Sequence, residues 1–340
     1  MATARSEQNK SILDVLRFVK GGVSRKEHLP VLQHFLLRNG EIQSSNGIIA
    51  LASPIPLAID CQPLAAPFIS AIAACERLEA VPSLSLQSSG RLRIVAGKFR
   101  VNIECSPDDF PHYLPEGQYI DLQPGLLKAF EILEPFVGED ASRPWARGVL
   151  IRDGSAFATN NVVIGQYWLG WKFSFDMNIP DECIREVIRV RKEPTGISAS
   201  DRSVAFHYDD GRWIRTQLLT TSWPSIEPVL DRPATAIAIP PDFFDGLDYL
   251  EPYCDDNRSV HFKNNRTLST HVQDELGATF ELDTPLGDAA LRGRYNIDQL
   301  RHLAKTVGVC DFSLYPAPAL FYGSGDLSVF RGAIVGMREL

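Results

Sequence analysis

Leu36-Leu37-Arg38-Asn39-Gly40 and Leu150-Ile151-Arg152-Asp153-Gly154 are two spellings of one pentapeptide, 114 residues apart. The match continues past it, because Ser45-Asn46-Gly47-Ile48-Ile49 is answered by Thr159-Asn160-Asn161-Val162-Val163 at the same offset. Further on, Arg91–Val95 and Lys98–Ile103 flank Ala96-Gly97, while Val204–Tyr208 and Trp213–Arg215 flank Asp209-Asp210-Gly211. Apolar alternation on both sides of a glycine turn predicts paired antiparallel strands. The two turn glycines, Gly97 and Gly211, are again 114 apart, and the Phe110-Pro111 and Trp223-Pro224 steps follow at 113. An internal offset of this kind sets the size of the building unit before any motif is considered.

Helical periodicity keeps the same spacing. One set of amphipathic stretches starts near Ser11, Gly125 and Pro241, and a second near Ala65, Pro180 and Ile297. Ile184, Val187 and Ile188 mark the apolar stripe of one; Ile297, Leu300, Ala304 and Val307 mark another. The last third is the most diverged, and its strand signals are Val260–Phe262, Ala278–Leu282, Phe312–Tyr315 and Ala319–Tyr322. Units this long exceed a solenoid repeat. They predict an α+β chain of three similar domains, 1–122, 123–232 and 233–340, each with two helices packed on antiparallel sheets.

Composition narrows the function classes. The chain has 340 residues, a net charge of −8 and six cysteines without a Cys-x-x-Cys pair. This disfavours a disulfide scaffold and a structural zinc site and fits a reducing cytoplasm. No apolar run reaches the length of a membrane span, and the polar start lacks an export signal. A compact groove-binding DNA domain is usually basic, so any DNA contact here requires positive charge gathered on one surface. Candidates recur in every third: Arg17 and Lys20 on the first helix, Arg25 and Lys26 in the loop after it, Arg185, Arg189 and Lys192 along the helix from 180, and Arg301 and Lys305 along the helix from 297. Such residues would contact phosphate without reading sequence.

No nucleotide-binding, metalloprotease or serine-hydrolase motif occurs. Cys183, beside an apolar stripe, reads as a packed core cysteine, and Asp108-Asp109 and Asp255-Asp256 as turn or surface carboxylates. The expectation is a protein without catalytic residues, metal or cofactor. An enzyme on a repeated α+β scaffold is the weaker alternative.

Several short motifs, in order, resemble the bacterial DNA sliding clamp, the β subunit of DNA polymerase III. They are Leu29-Pro30-Val31-Leu32, Asp109-Phe110-Pro111, Ala158-Thr159-Asn160, Trp223-Pro224, Tyr295-Asn296-Ile297 and the terminal Val335–Leu340, and the likeness runs over most of 11–340. The resemblance implies a clamp fold and a head-to-tail homodimer of six domains closed around double-stranded DNA. It implies a processivity function in replication, with polymerase and clamp loader held through short peptide motifs. By position it puts Val101 and Ile103, with Tyr253 and Cys254, at the subunit contact. It also implies a peptide groove formed by Ala146, Thr159, Val162, Ile164, Pro224, Val229, Val335, Met337, Arg338 and Leu340. Two segments depart from the family pattern. Thr159–Ile164 lacks the usual histidine and arginine, and the C-terminus carries an extra glutamate, Glu339. These changes motivate a second alternative, a clamp-like interaction protein or decoy that does not close.

Overall fold

The computed structural model describes residues 11–25, 29–235, 237–272, 276–288, 291–325 and 328–338. Each third of the chain holds two of the expected helices. They are α1 (Ile12–Val19) and α2 (Ala65–Arg77), α3 (Leu126–Leu133) and α4 (Asp181–Val190), and, after a short α5 (Glu227–Leu230), α6 (Phe243–Leu250) and α7 (Ile297–Arg301). The first third carries β1 (Leu36–Arg38), β2 (Glu41–Ser45), β3 (Ile49–Pro54), β4 (Ser83–Leu86), β5 (Leu92–Ala96) and β6 (Phe99–Ile103). The second carries β7 (Gln118–Asp121), β8 (Gly148–Arg152), β9 (Ser155–Thr159), β10 (Val163–Trp168), β11 (Met177–Pro180), β12 (Gly196–Ala199), β13 (Ser203–His207) and β14 (Trp213–Gln217). The third carries β15 (Ile237–Ala238), β16 (Ser259–Phe262), β17 (Thr267–Ser269), β18 (Thr279–Glu281), β19 (Gly293–Asn296), β20 (Val307–Asp311), β21 (Ala319–Gly323) and β22 (Phe330–Ile334).

The repeated pentapeptide is a hairpin turn in both copies. Register pairs Arg38 with Glu41 and Arg152 with Ser155. The two residues between have positive φ each time, 53° and 75° at Asn39-Gly40 and 48° and 77° at Asp153-Gly154. This is the requirement of a type I′ turn, which Asn-Gly and Asp-Gly meet at the least cost. The next turn is also one device used twice. Asn46 Oδ1 accepts from the amides of Ile48 and Ile49, both at 2.9 Å, and Asn160 Oδ1 from those of Val162 and Val163, at 3.0 and 2.8 Å. Ser45 and Thr159 each donate a hydroxyl to the carbonyl four residues on, at 2.9 and 2.7 Å.

The chain divides into two compact units, 1–127 with 182–218, and 128–181 with 219–340. The first contains the antiparallel sheet β1-β2-β3-β14-β13-β12-β7 and the smaller sheet β4-β5-β6. The β3–β14 pairing joins strands far apart in sequence, with Leu51 opposite Ile214, 163 residues on. Leu13, Leu16, Phe18 and Val19 of α1 and Phe68, Ile72 and Cys75 of α2 are buried in this unit. Each large aliphatic or aromatic side chain so buried contributes roughly 1.5–3 kcal/mol before entropy is counted. Ser11 caps α1 by accepting from the Leu13 amide at 3.0 Å.

The second unit contains β11-β8-β9-β10-β22-β21-β20-β15 and β18-β17-β16-β19. Its centre includes an aromatic cluster in which Phe262 meets Phe243, Tyr295 and Phe312 at centroid distances of 6.0, 5.3 and 5.0 Å. Two local expectations are corrected here. Phe312–Tyr315 is not a strand. Asp311 accepts from the Ser313 amide and hydroxyl at 3.1 and 2.5 Å and turns Phe312–Leu314 into a 3-10 helix that delivers Phe312 to the cluster. The helix from Ile297 closes after Arg301, so Ala304 is exposed and Val307 opens β20.

Candidate peptide groove and basic surface

In the second unit the repeat produces a cavity of about 200 Å³. The segment 159–164 supplies Thr159, Asn161, Val162 and Ile164 on one side. The Trp-Pro corner and α5 supply Pro224, Ile226 and Val229, and the β22 end supplies Ala333 and Val335. Backbone pairing fixes the approach of the two strands, with the Val335 amide donating to the Val162 carbonyl at 2.8 Å. Below lies a buried cluster of Leu150, Phe157, Ile164, Ile226, Leu230, Leu320 and Ala333, with Trp223 and Val229 packed on it. Trp145 also lines the cavity and meets Trp223 edge-on, ring centroids 5.2 Å apart. The space is smaller than a typical small-molecule pocket and sized for one or two apolar side chains. A floor that stays buried beneath half-exposed walls suits a peptide presenting anchor residues.

Of the groove residues expected from resemblance, Thr159, Val162, Ile164, Pro224, Val229 and Val335 share this cavity. Ala146 is buried one residue from Trp145. Met337 and Arg338 sit in a tail running beside β19. There the Met337 amide donates to the Arg294 carbonyl at 2.7 Å, and Arg294 donates to the Arg338 carbonyl at 3.1 Å. Leu340 lies outside the described residues. Trp145, Asn161, Ile226 and Ala333 were not anticipated. The one sequence signal for Trp145 was an aromatic directly after Pro144.

The candidate phosphate contacts divide by their partners. Arg189 forms an ion pair with Glu186 and donates to the carbonyls of Phe18 and Arg17 at 2.7 and 3.3 Å, so it closes the C-terminal end of α1. Gly21 makes this possible, because a Cβ there would fall on the Glu186 carboxylate. Lys192 is held by Asp209 and Asp210, and the Asp209 hydrogen bond raises its pKa. Arg301 donates to Asp248 at 2.6 Å and Arg17 pairs with Asp14 at 2.9 Å. Arg185 is exposed on α4. Lys20, Arg25 and Lys305 are exposed and, among the described residues, form no ion pair. Lys26 lies outside the described residues.

Val101 is half-buried and Ile103 buried on β6, an edge strand of its sheet; Tyr253 is exposed, and the Cys254 thiol donates to the Ser259 carbonyl at 3.5 Å. Cys183 is fully buried, and burial pushes its thiol pKa up. Among the described residues, no three His, Cys, Asp or Glu side chains are grouped as a metal site, and no helix is long and apolar enough to cross a membrane.

No protein-family model matches the chain, and no curated protein matches it by sequence. Solved structures do match over the full length. A DnaN sliding clamp (DNA polymerase III subunit beta) from Pseudomonas aeruginosa, bound to griselimycin, aligns with a TM-score of 0.81 at 14% identity over 97% of both chains. The beta subunit from DNA polymerase of Streptococcus pyogenes aligns with 0.82 at 17% identity over 96% of this chain and 97% of that one. The DNA polymerase sliding clamp from Caulobacter crescentus aligns with 0.82 at 18% identity over 97% and 98%. The α+β fold of this chain is therefore the sliding-clamp fold, and the resemblance read from scattered short motifs holds at the level of structure.

Proposed function

We propose that this chain is a non-enzymatic DNA sliding clamp, a ring of two head-to-tail copies that encircles duplex DNA and tethers a polymerase through the groove beside Val162. The observation that carries this reading is the clamp fold running the full length of the chain, 97% of it against 97% of a bacterial clamp. We read the chain as three domains, 1–122, 123–232 and 233–340, because each third contributes two helices and two sets of strands. Ring closure would join the edge strand β6, with Val101 and Ile103, to an edge of the β18-β17-β16-β19 sheet in the other copy. Pairing edges in this way also removes an aggregation hazard, and a heterologous contact that closes after two copies gives a finite ring. The region around Tyr253 and Cys254 would border this contact.

The mechanism is topological. A closed ring leaves DNA only by opening, so weak phosphate contacts suffice and sliding is allowed. Lys20, Arg25 and Lys305 are the proposed contacts, with Lys26 beside Arg25 and Arg185 exposed on α4. Arg17, Arg189, Lys192 and Arg301 would add positive potential while their carboxylate partners hold them in place. Each phosphate contact would steepen the salt dependence. Polymerase and clamp loader would enter the groove through short motifs with apolar anchors, and a cytoplasmic setting fits the free thiols.

The test is retention on DNA. Loaded on nicked circular DNA by a compatible clamp loader, the protein is expected to stay bound through gel filtration and to leave once the circle is cut. It is also expected to sediment as a dimer at micromolar concentration. A monomer that binds groove peptide but is never retained on circles would overturn ring closure and support the alternative of a non-closing interaction protein.

A further inference from the structure

The sequence places Cys61 and Cys105 far apart, and the fold brings them together. Cys61 exchanges backbone hydrogen bonds with Leu37, at 2.9 and 3.0 Å. Two residues on, Pro63 stands opposite Cys105, where the Leu64 amide donates to the Glu104 carbonyl and the Ser106 amide to the Gln62 carbonyl, both at 2.9 Å. Alternate residues of a strand share a face, so Cys61 lies diagonal to Cys105 on one face of this short ladder. The two thiols lie close enough for each to shift the other's titration. Both are half-buried and line an open cavity of about 660 Å³ with His34, Arg91 and Glu104. Cys75, Cys183 and Cys310, by contrast, are buried.

The two sulfurs are not equivalent. The adjoining Cys61 thiol, and after it the Leu92 and Gln62 backbones, bring the Cys105 pKa down to about 7. Cys61 is pushed up by its Cys105 neighbour, by partial burial and by the Asp60 carboxylate. One thiol is thus an available thiolate, and its neighbour keeps its proton. A low-pKa, accessible cysteine next to a resolving cysteine is the arrangement of a redox-sensitive site.

We propose that Cys61 and Cys105 form a peroxide-reactive dithiol that closes reversibly to a disulfide. The Cys105 thiolate attacks one peroxide oxygen, the O–O bond breaks, and the departing hydroxide leaves Cys105 as a sulfenic acid. The Cys61 sulfur then attacks the Cys105 sulfur, the S–O bond breaks, and the Cys61 proton leaves with the oxygen as water. In net terms two thiols and one hydrogen peroxide become one disulfide and two waters, and a dithiol reductant restores the pair. The bond would tie the segment leading into α2 to the end of β6.

The test uses the full-length chain. At pH 7 iodoacetamide is expected to label Cys105 about tenfold faster than the half-buried Cys254, because far more of it is thiolate. After treatment with hydrogen peroxide and alkylation, peptide mapping without reductant is expected to find a Cys61–Cys105 cross-linked peptide that dithiothreitol removes, with Cys183 and Cys310 unmodified. Cys61→Ser is expected to leave a sulfenic acid on Cys105 that dimedone captures. Equal labelling rates at Cys105 and Cys254 in the wild-type protein, or oxidation without an intramolecular cross-link, would overturn the proposal. Neither readout depends on a variant folding.

Discussion

The turn at Ser45–Ile49 and the turn at Thr159–Val163 use the same hydrogen bonds 114 residues apart, and the second lines a groove. In the first corner, Leu32, Leu36 and Phe110 are buried together with Val31 packed on them, and Ile48 is left 43% exposed. In the second, Trp223 replaces Phe110 and packs against Trp145. Its following proline and Val229 of α5 line a cavity with Val162. The frame is common to both corners. What differs is the filler, a buried phenyl ring in one and a half-buried indole in the other. A repeated fold thus leaves a cavity where one copy of a corner is incompletely filled.

The sharpest way to break this comparison is to empty both corners. Phe110→Ala removes a ring only 7% exposed and is expected to cost about 3 kcal/mol of stability, through lost burial and a residual cavity. Trp223→Ala removes a half-buried ring that borders an existing cavity, and is expected to cost less stability while weakening any peptide held in the groove. Urea melts of the two variants compare the losses, and a larger stability loss for Trp223→Ala would contradict the distinction between filler and wall. Next in size is an acidic probe at the matched turn position. Val162→Asp is expected to weaken a groove-binding clamp peptide at least tenfold, about 1.4 kcal/mol. Ile48→Asp should leave that affinity unchanged, as titration calorimetry on both variants would read.

The turns, hairpins and helices were legible because their causes are local. Asn39-Gly40 and Asp153-Gly154 announce a two-residue turn, and each helix shows its apolar stripe. The joins that build the large sheets were not legible. Nothing near Leu51 or Ile214 signals that they face each other, nor that Val163 pairs with Ile334. The Phe312–Tyr315 error has the same origin, because alternation suggested a strand while the Asp311 cap, a side-chain effect, made a 3-10 turn. At the site, resemblance brought six groove residues to one cavity but missed Trp145 and Ala333, which arrive through tertiary packing. The basic residues show both cases. Glu186 at three residues from Arg189 was a readable helix pair, whereas Asp248 reaches Arg301 only through the fold.

A smaller effect separates the anchors of the two turns. Asn46→Ala deletes the acceptor for two amides at an exposed turn and is expected to cost about 1 kcal/mol. Asn160→Ala deletes the same pair of bonds and also the donation from Asn160 to Gln299 at 2.6 Å. It should therefore cost more, and thermal melts that rank Asn46→Ala above it would show that the two turns are not energetically parallel.

The smallest expected effect exchanges the one residue type that distinguishes the turns at their tightest point. Gly47 has φ 89°, and its counterpart Asn161 has φ 71°. Both are left-handed, a region where asparagine is the best tolerated residue after glycine. A Cβ at Gly47 would meet only Leu32 Cδ1, at 3.9 Å, which is ordinary contact. Gly47→Asn therefore has room, and its cost is the left-handed conformation alone, about 1 kcal/mol or less, partly offset by a less flexible unfolded chain. The reverse change, Asn161→Gly, relieves that conformation but adds unfolded-state freedom, so stability should move by about 0.5 kcal/mol or less. Its effect on peptide affinity carries more information, because Asn161 lines the cavity. If Asn161→Gly leaves stability alone and weakens peptide binding, this position marks where the repeat was altered for recognition. If neither quantity moves, the second turn owes its role to its surroundings, and the comparison rests on Trp223 and α5.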